Sequence, residues 1–391
     1  MKKSLLALAV VAAASANAAT VYDKDGTSLA IGGRVQSVVY NGNSSGIAVE
    51  DAGLVNSSRI NIAGSSKITD YLTAFAFSEW NFADGNKSAY GDNINTREQY
   101  VGVSCNDFGK VLIGKTYDAA RENLLATDIF EDFGDRAQNT INGDRRTGTI
   151  RYVYDNNGIF GSASYQTAQD DTTVRGKKAN IEGGFSLAAG FTFDNVVFGP
   201  LSIKAGYSYI KGQDDYNGMY TVLSGNSLPF GAADYGYFSA GKTVSTYEKA
   251  QAGNTHKSFD NFKSGLVSLS WGSTSQGLYL GALYLNNRQK IAIPTISGTN
   301  STLKDKGFEL VGGYAFDNGL GIYTGYTVLD TKAKFGSKND NSNIYRRVPV
   351  YVNYAFNGNF NVWGEAEFDA DSSTKEDNTG TMLSAGARYT F

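Results

Sequence analysis

The last nine residues of the chain alternate strictly between two kinds of side chain. One set is apolar and ends in aromatic residues: Leu383, Ala385, Ala387, Tyr389 and Phe391. The other set is small, polar or charged: Ser384, Gly386, Arg388 and Thr390. Because side chains change sides at every residue of a strand, this pattern predicts a β-strand with one oily and one wet face. A membrane-spanning barrel, with lipid outside and water inside, requires such strands.

The same alternation recurs along most of the chain. In one predicted hairpin, the residues of Val348–Phe356 and Phe360–Phe368 alternate on either side of the turn Asn357–Asn359. Patterns of this kind predict about sixteen strands, and no change in composition marks a second domain. The predicted fold is therefore all-β, a single antiparallel transmembrane barrel.

The predicted connections alternate in length. Tight turns are predicted at Asn106–Gly109, Asn156–Gly158, Asp194–Pro200, Gly272–Gln276, Asp317–Gly319 and Asn357–Asn359. Longer connections are predicted at Asp84–Ile94, Tyr117–Arg145, Gln169–Lys178, Lys211–Lys257, Gln289–Lys304 and Thr331–Asn343. Short turns on one rim and long loops on the other are typical of outer-membrane barrels. Phe356, Phe360 and Phe391 then share the short-turn rim, and we predict that Tyr389 and Phe391 serve membrane assembly.

The first eighteen residues have the pattern of an export signal. Lys2 and Lys3 precede the apolar run Leu5–Ala14, and Ala16–Ala18 has the small-x-small pattern of a cleavage site. Cleavage after Ala18 would leave residues 19–391. No later segment resembles the roughly 20 apolar residues that a spanning helix requires, so membrane residence is predicted as a barrel.

Composition agrees with an exported β protein. The chain has 46 glycines, 25 tyrosines and 22 phenylalanines but only four prolines and one cysteine, Cys105. It therefore folds without an internal disulfide. Without its leader it has 33 basic and 38 acidic residues, a net charge of −5, which does not favour nucleic-acid binding. No cofactor or metal site is predicted, and the spacing of Asp369 and Asp371 alone is weak evidence for one.

Several segments resemble the general porins of Gram-negative outer membranes. These are Ala19–Gly26, Gly32–Arg34, Ser57–Ile60, Ser78–Phe82, Asn95–Arg97, Gly114–Tyr117 and Thr127–Asp135. The resemblance implies a homotrimer of sixteen-stranded barrels in the outer membrane, in contact with its lipid and lipopolysaccharide. It also implies that the third loop, about 117–145, folds inward and narrows the pore.

The resemblance further implies which residues line the constriction. The basic wall would be Arg34, Arg59, Arg97 and Arg146; the acidic side would be Asp128, Glu131 and Asp132, with Glu79 as a wall carboxylate. Arg145 remains an alternative to Arg146, since alternation is poor around Thr147–Tyr152. The loop departs from the family pattern at Glu131, where proline is common, and at Asp135, where glycine is common.

Alternation independently predicts that two of these arginines face water. Arg59 shares a face with Ser57 and Asn61, and Arg34 shares one with Gln36. A guanidinium facing lipid near the midplane of a barrel would cost roughly 2–4 kcal/mol. On the pattern alone, the alternative is that the four arginines are scattered on water-facing positions of the strands and that the acidic loop residues are simply solvated.

These features predict passive diffusion of small hydrophilic solutes and ions, sieved by size and by a transverse field at the constriction. Because loop acids and wall bases nearly balance in an acidic chain, we predict a weak cation preference. The alternatives are a selective oligosaccharide channel, an outer-membrane hydrolase and a non-conducting adhesin or structural barrel. A hydrolase triad could use only His256. The aromatic-rich segment 211–257 is interpreted as an external cap, with a short hairpin or a sugar-stacking surface as alternatives.

Overall fold

The computed structural model describes residues 18–41, 53–83, 94–134, 141–174, 177–213, 220–226, 245–249, 260–291, 301–335, 338–370 and 381–391. Strands make up most of these residues. They are β1 (Ala19–Lys24), β2 (Thr27–Tyr40), β3 (Gly53–Lys67), β4 (Leu72–Ala83), β5 (Asn95–Cys105), β6 (Gly109–Thr116), β7 (Arg146–Asn156), β8 (Ile159–Gln166), β9 (Gln169–Val174), β10 (Lys177–Val196), β11 (Gly199–Gly212), β12 (Tyr220–Asn226), β13 (Ser245–Lys249), β14 (Asn261–Gly272), β15 (Gly277–Ile291), β16 (Ser301–Ala315), β17 (Leu320–Phe335), β18 (Lys338–Ala355), β19 (Phe360–Asp369) and β20 (Met382–Thr390). Short 3₁₀ helices span Asn106–Phe108, Ala119–Ala126 and Ile141–Gly143.

Sixteen of the strands close into one antiparallel barrel, which confirms the predicted fold. Each strand from β2 to β7 pairs with the next strand in the chain, and β8 pairs with β10. The series continues through β11 and then from β14 to β20. The strands β20 and β2 then pair, from Thr390 opposite Arg34 to Ser384 opposite Tyr40. Closure leaves the barrel without a free edge, so the backbone polar groups are satisfied where no water can reach them.

The two ends of the described chain meet on one edge of β2. The strand β1 pairs with the start of β2, with Ala19 opposite Ile31. Close by, Gly33 and Phe391 exchange backbone hydrogen bonds of 2.8 and 2.9 Å. The strand β1 therefore continues in line with β20.

The connections alternate in length as predicted. The six predicted tight turns each join two barrel strands, and a further short turn, 68–71, joins β3 to β4. In the turn between β7 and β8, Asn157 and Gly158 have φ values of 51° and 78°. These positive values are typical of a type I′ turn, which matches the twist of the flanking strands. The carboxyl end of β20 lies at this rim, where Thr390 donates to the Asn359 carbonyl (2.7 Å).

Two segments predicted as long loops are instead largely paired strands. Within Gln169–Lys178, β9 pairs with the start of β10, and within Thr331–Asn343 the ends of β17 and β18 pair. Their polar residues had indicated loops. Hairpins that extend beyond the membrane have no lipid-facing side, so they lack the apolar alternation that marks a spanning strand.

Other predictions fall partly or wholly outside the described residues. Residues 1–17 of the predicted leader, His256 and Asp135 are among them. Within 211–257, the strands β12 and β13 form a separate two-stranded sheet. The cap predicted for this segment otherwise lies outside the described part of the chain.

The two faces of the barrel differ as the alternation predicted. On β3, Ile60 and Ile62 are 37% and 39% exposed, whereas Asn61 between them is 3% exposed. Polar side chains such as Asn61 therefore face the interior of the barrel. Among the described residues, no helix is long and apolar enough to cross a membrane.

Candidate pore constriction

The third loop connects β6 to β7 and enters the barrel interior through the 3₁₀ helix Ala119–Ala126. Asp118 begins this helix, and its carboxylate accepts a hydrogen bond from the backbone N–H of Ala120 (3.1 Å). Ala120 and Leu124 are buried against wall leucines, namely Leu266, Leu283 and Leu285. The helix therefore packs on the inner wall by an apolar contact, which fixes the direction of the loop.

A glycine on the wall makes room for this helix. Gly206 lies on β11, and a Cβ atom built there would come within 2.8 Å of the Ala120 Cβ and 2.7 Å of the Asn123 Nδ2. A larger residue would push the helix away from the wall. The sequence predicts that this glycine lies in a strand, but only the structure shows that the helix of the third loop packs against it.

The base of the loop is tied to the wall by a buried polar cluster around Arg146. The Arg146 guanidinium donates to the Asp118 carboxylate (3.1 Å) and to the Ile141 carbonyl (2.5 Å). Asn142 donates to the same carboxylate (2.8 Å) and to the Ser208 hydroxyl (2.6 Å). Arg146 is only 2% exposed, so the structure buries it under the loop instead of leaving it on a water-facing wall.

Beyond the helix the loop continues along the wall from β15 to β19. Tyr279 on β15 donates to the Ala126 carbonyl (2.8 Å), and Thr127 donates to Glu309 on β16 (2.5 Å). Thr327 on β17 donates to the Gly134 carbonyl (3.1 Å). The described part of the loop thus follows the inside of the barrel from β7 to β19.

The loop tip is held by a carboxylate of the wall. Glu365 on β19 accepts hydrogen bonds from three successive backbone N–H groups, those of Glu131 (2.9 Å), Asp132 (3.0 Å) and Phe133 (2.6 Å). Carboxylate acceptors form stronger hydrogen bonds than neutral ones. Glu365 is 3% exposed, so water competes little for these bonds.

The three predicted loop acids are each in contact with a partner. Asp128 pairs with Arg121 of the same loop (2.7 Å), and Glu131 forms two hydrogen bonds with Arg388 on β20 (2.8 and 2.5 Å). Asp132 accepts hydrogen bonds from uncharged donors of the wall, namely Tyr40, Trp363 and Ser384.

Three of the predicted wall arginines come together on β2, β3 and β5. Arg34 lies directly opposite Arg59 in the β2–β3 register. Arg97 donates to Glu79 (2.6 Å), and the Arg59 Nε lies 3.8 Å from the same carboxylate oxygen. The register shifts between β4 and β5 at this point, and this irregularity brings Arg97 over Glu79.

Arg145, the alternative to Arg146, lies beside this row of arginines. Its guanidinium lies 4.4 Å from the centre of the Tyr117 ring and 3.8 Å from the Glu98 carboxylate. Burial lowers the pKa of Arg145, Tyr117 raises it, and the neighbouring charge of Arg97 lowers it again. The guanidiniums are therefore close enough to influence one another, although arginine stays charged.

The arrangement separates the interior into two sides. The described part of the loop contacts the wall from β7 round to β20 and also reaches Tyr40 on β2. Arg34, Arg59 and Arg97 lie on the remaining arc, on β2, β3 and β5. The roles of these residues and of the loop acids in conduction stay predictions.

The sequence reasoning missed several groups of this site. Arg388, Glu365, Glu98 and Asp118 were not predicted, although Arg388 occupies the polar face of the strictly alternating last strand. That alternation could have placed Arg388 in the lumen. Nothing in the sequence indicates that its partner is Glu131, which lies 257 residues away.

The predicted assembly residues Tyr389 and Phe391 lie on the outer face at the short-turn rim. Tyr389 is 51% exposed and stands opposite Phe360 and Val35 on the neighbouring strands. The Phe391 ring lies over Gly33. These positions form part of an aromatic rim, which in outer-membrane barrels lies at the lipid–water boundary; an assembly role stays a prediction.

A closed antiparallel barrel with an apolar outer face, a charged lumen and an inward loop defines a class of protein, the channels of the bacterial outer membrane. Comparison with known proteins identifies the family. A model described as Gram-negative porin matches residues 4–334, and the chain therefore belongs to the Gram-negative porin family. This confirms the resemblance, the outer-membrane location and a passive channel as the general function.

Individual relatives agree with this assignment. The chain is 28% identical to porin-like protein L of Photobacterium profundum and 27% identical to outer membrane porin PhoE of Enterobacter cloacae, in each case over the full length of both chains. Among solved structures, OmpF of Salmonella typhi in complex with daunomycin aligns with a TM-score of 0.67 at 19% identity, covering 95% of this chain and all of that one. OmpT of Vibrio cholerae in its trimer form aligns with a TM-score of 0.62 at 17% identity, covering 94% and 100%.

Proposed function

We propose that this porin admits small hydrophilic solutes and ions through a gap between the third loop and the arginine row of β2–β5. The observation that carries the proposal is the path of the loop: its described part contacts the wall from β7 to β20, and Arg34, Arg59 and Arg97 lie on the remaining arc. A polar solute can align in the field of such fixed charges, whereas an apolar solute must displace the water that they order. Bulky solutes are rejected by diameter.

Liposome swelling with sugars of graded size tests this sieving. We expect the swelling rate to fall steeply with solute size and to be equal for stereoisomers of one size. Discrimination between stereoisomers would favour a selective sugar channel, and no swelling would favour a non-conducting barrel. The described lumen gives little support to a sugar channel, since aromatic residues such as Tyr323, Tyr351 and Trp363 are at most 5% exposed and pack with the loop tip.

We further propose a weak cation preference. Glu131 and Arg388 cancel each other's charge, as do Asp128 and Arg121. Asp132, in contrast, is held by uncharged donors, and the chain without its leader has a net charge of −5. The reversal potential of reconstituted channels in a potassium chloride gradient measures this preference directly. A sign that indicates anion preference would contradict the proposal.

We also propose that the protein is a homotrimer whose contacts use the outer face of the early strands. An apolar groove of about 920 Å³ lies there, and its lining includes Leu29, Gly64, Ala76, Val101 and Val103. An exposed apolar groove lined by small residues fits the close approach of another barrel. The trimer form of Vibrio cholerae OmpT, a protein of the same fold, supports the same assembly.

A matched pair of substitutions tests the trimer. Ala76 in the groove and Ala189 on β10 are both exposed on the outer face. Replacing either with arginine places a similar charge outside the barrel, but only Ala76→Arg should dissociate the trimer in sedimentation or cross-linking measurements. If both variants stay trimeric, the groove is not the interface; a monomeric wild type would refute the trimer itself.

A further inference from the structure

The tip of the third loop lies on the seam where the last strand meets the first. In the β2–β20 register, Gln36 stands opposite Arg388 and Tyr40 stands opposite Ser384. These two cross-strand pairs face the lumen, because Arg388 and Tyr40 both contact the loop inside it. The seam is therefore lined by polar groups at the point that the loop tip reaches.

Each acid of the tip binds one of these pairs. Glu131 binds Arg388, which also donates from its Nε to Gln36 (2.9 Å). Asp132 accepts hydrogen bonds from Tyr40 and Ser384, both at 2.6 Å. Two neighbouring loop residues thus engage both strands of the seam, which fixes the tip in position and in rotation.

Each of the three side-chain nitrogens of Arg388 donates a hydrogen bond in this arrangement. Its two terminal nitrogens bind both oxygens of Glu131, its Nε binds Gln36, and its Cζ lies 5.1 Å from the centre of the Trp363 ring. The side chains of Arg388 and Glu131 are only 13% and 23% exposed. A planar guanidinium in a two-point contact holds a carboxylate in a defined place, which lysine cannot do equally well.

We propose that Arg388 is a positioning and selectivity-setting residue of the constriction. It holds Glu131 on the wall and cancels its charge, so that the acid acts on passing ions only weakly. The inference rests on the proposed function of the loop as the constriction. Removing either partner exposes the charge of the other in the throat, and the two removals act in opposite directions.

The test is a double-mutant cycle measured as ion selectivity. In planar bilayers, Arg388→Gln should raise the cation-to-anion permeability ratio, and Glu131→Gln should lower it. Each change should be about two- to fivefold, since a unit charge roughly 8 Å from a passing ion in water changes that ion's Boltzmann factor by up to about twofold, in opposite directions for cations and anions. The double variant Glu131→Gln with Arg388→Gln should return close to the wild-type ratio, because it removes the pair and leaves no net charge.

Arg97→Gln is the matched control. Arg97 is a lumen arginine paired with Glu79 and not with the loop tip. Its removal should also favour cations, but it should not add current noise, because Arg97 does not hold the loop tip. Arg388→Lys should keep the selectivity close to wild type while increasing current noise, since it retains the charge but loses the two-point contact.

The outcomes separate the inference from the channel proposal. If wild-type protein conducts and the Arg388→Gln and Glu131→Gln effects share a sign, or if the double variant departs from the wild-type ratio as far as either single variant, the pair does not act as proposed. If Arg388→Gln fails to fold, Glu131→Gln and Arg388→Lys still test the pair. Wild-type selectivity in Glu131→Gln together with wild-type current noise in Arg388→Lys would overturn the inference. A wild type that does not conduct would refute the proposed function together with this inference.

Discussion

Arg145 and Arg146 are adjacent in the chain, yet their surroundings give them different roles. Arg146 is buried with Asp118 and the Ile141 carbonyl, whereas Arg145 lies against Tyr117 beside Arg97. Residue type and spacing could not separate them. The distinction comes from the loop, which returns over Arg146 and covers it.

We expect Arg146→Gln to destabilise the barrel strongly. Breaking a buried ion pair from one side leaves the other charge without compensation and costs about 3–5 kcal/mol. The measurement is the urea midpoint of unfolding in lipid or detergent. Arg145→Gln is the control and should change the midpoint little while raising the cation-to-anion permeability ratio. Equal losses of stability in the two variants would show that Arg146 does not anchor the loop.

At the scale of the element, the described part of the third loop is held by side chains of the strands that it crosses. The sequence analysis predicted that the acidic residues of this loop face arginines of the wall across a water-filled gap. The structure instead places Asp128 and Glu131 in direct ion pairs and Asp132 on the wall. The tip therefore depends on the wall for its shape, above all on Glu365.

Glu365→Ala should loosen the tip of the loop. Three backbone N–H groups lose their carboxylate acceptor, and each buried donor left unsatisfied costs about 1–3 kcal/mol. We expect noisier single-channel current and a larger mean conductance. Glu79→Ala removes a carboxylate that pairs with wall arginines, so it should alter selectivity without the added noise. Quiet current in Glu365→Ala channels would mean that other contacts suffice to hold the tip.

At the scale of the whole molecule, the barrel depends on one long-range pairing, that of β20 with β2. Gly33 lies at the end of this seam, where it exchanges backbone hydrogen bonds with Phe391. A Cβ atom at Gly33 would lie 2.4 Å from the Arg59 carbonyl and 2.8 Å from the Phe391 ring. The position therefore has no room for a side chain.

Gly33→Ala should impair closure of the barrel. We expect a lower yield of folded protein and a lower temperature at which the folded band is lost in heated gel samples. Gly161→Ala is the matched control, because Gly161 on β8 has no atom within 4 Å of a built Cβ atom. Similar behaviour of the two variants would indicate that the seam tolerates the added methyl group.

Local sequence patterns were sufficient to predict the barrel, its two faces and its short-turn rim. Side-chain alternation and turn chemistry are local properties, so Leu383–Phe391 and the turn Asn157–Gly158 specify their own conformation. Family resemblance supplied the inward loop and most of its charged residues. Where alternation was weak, as around Thr147–Tyr152, the sequence left the choice between Arg145 and Arg146 open.

The pairing of charged and polar groups between the loop and the wall is seen only in the folded barrel. Glu131 and Arg388 are 257 residues apart, and Asp132 and Ser384 are 252 apart. Such pairs form because closure of the barrel places β20 beside β2, and the tip of the third loop packs on this seam. A local sequence pattern does not specify contacts over such separations, so the partner of each charge follows from barrel closure and not from spacing along the chain.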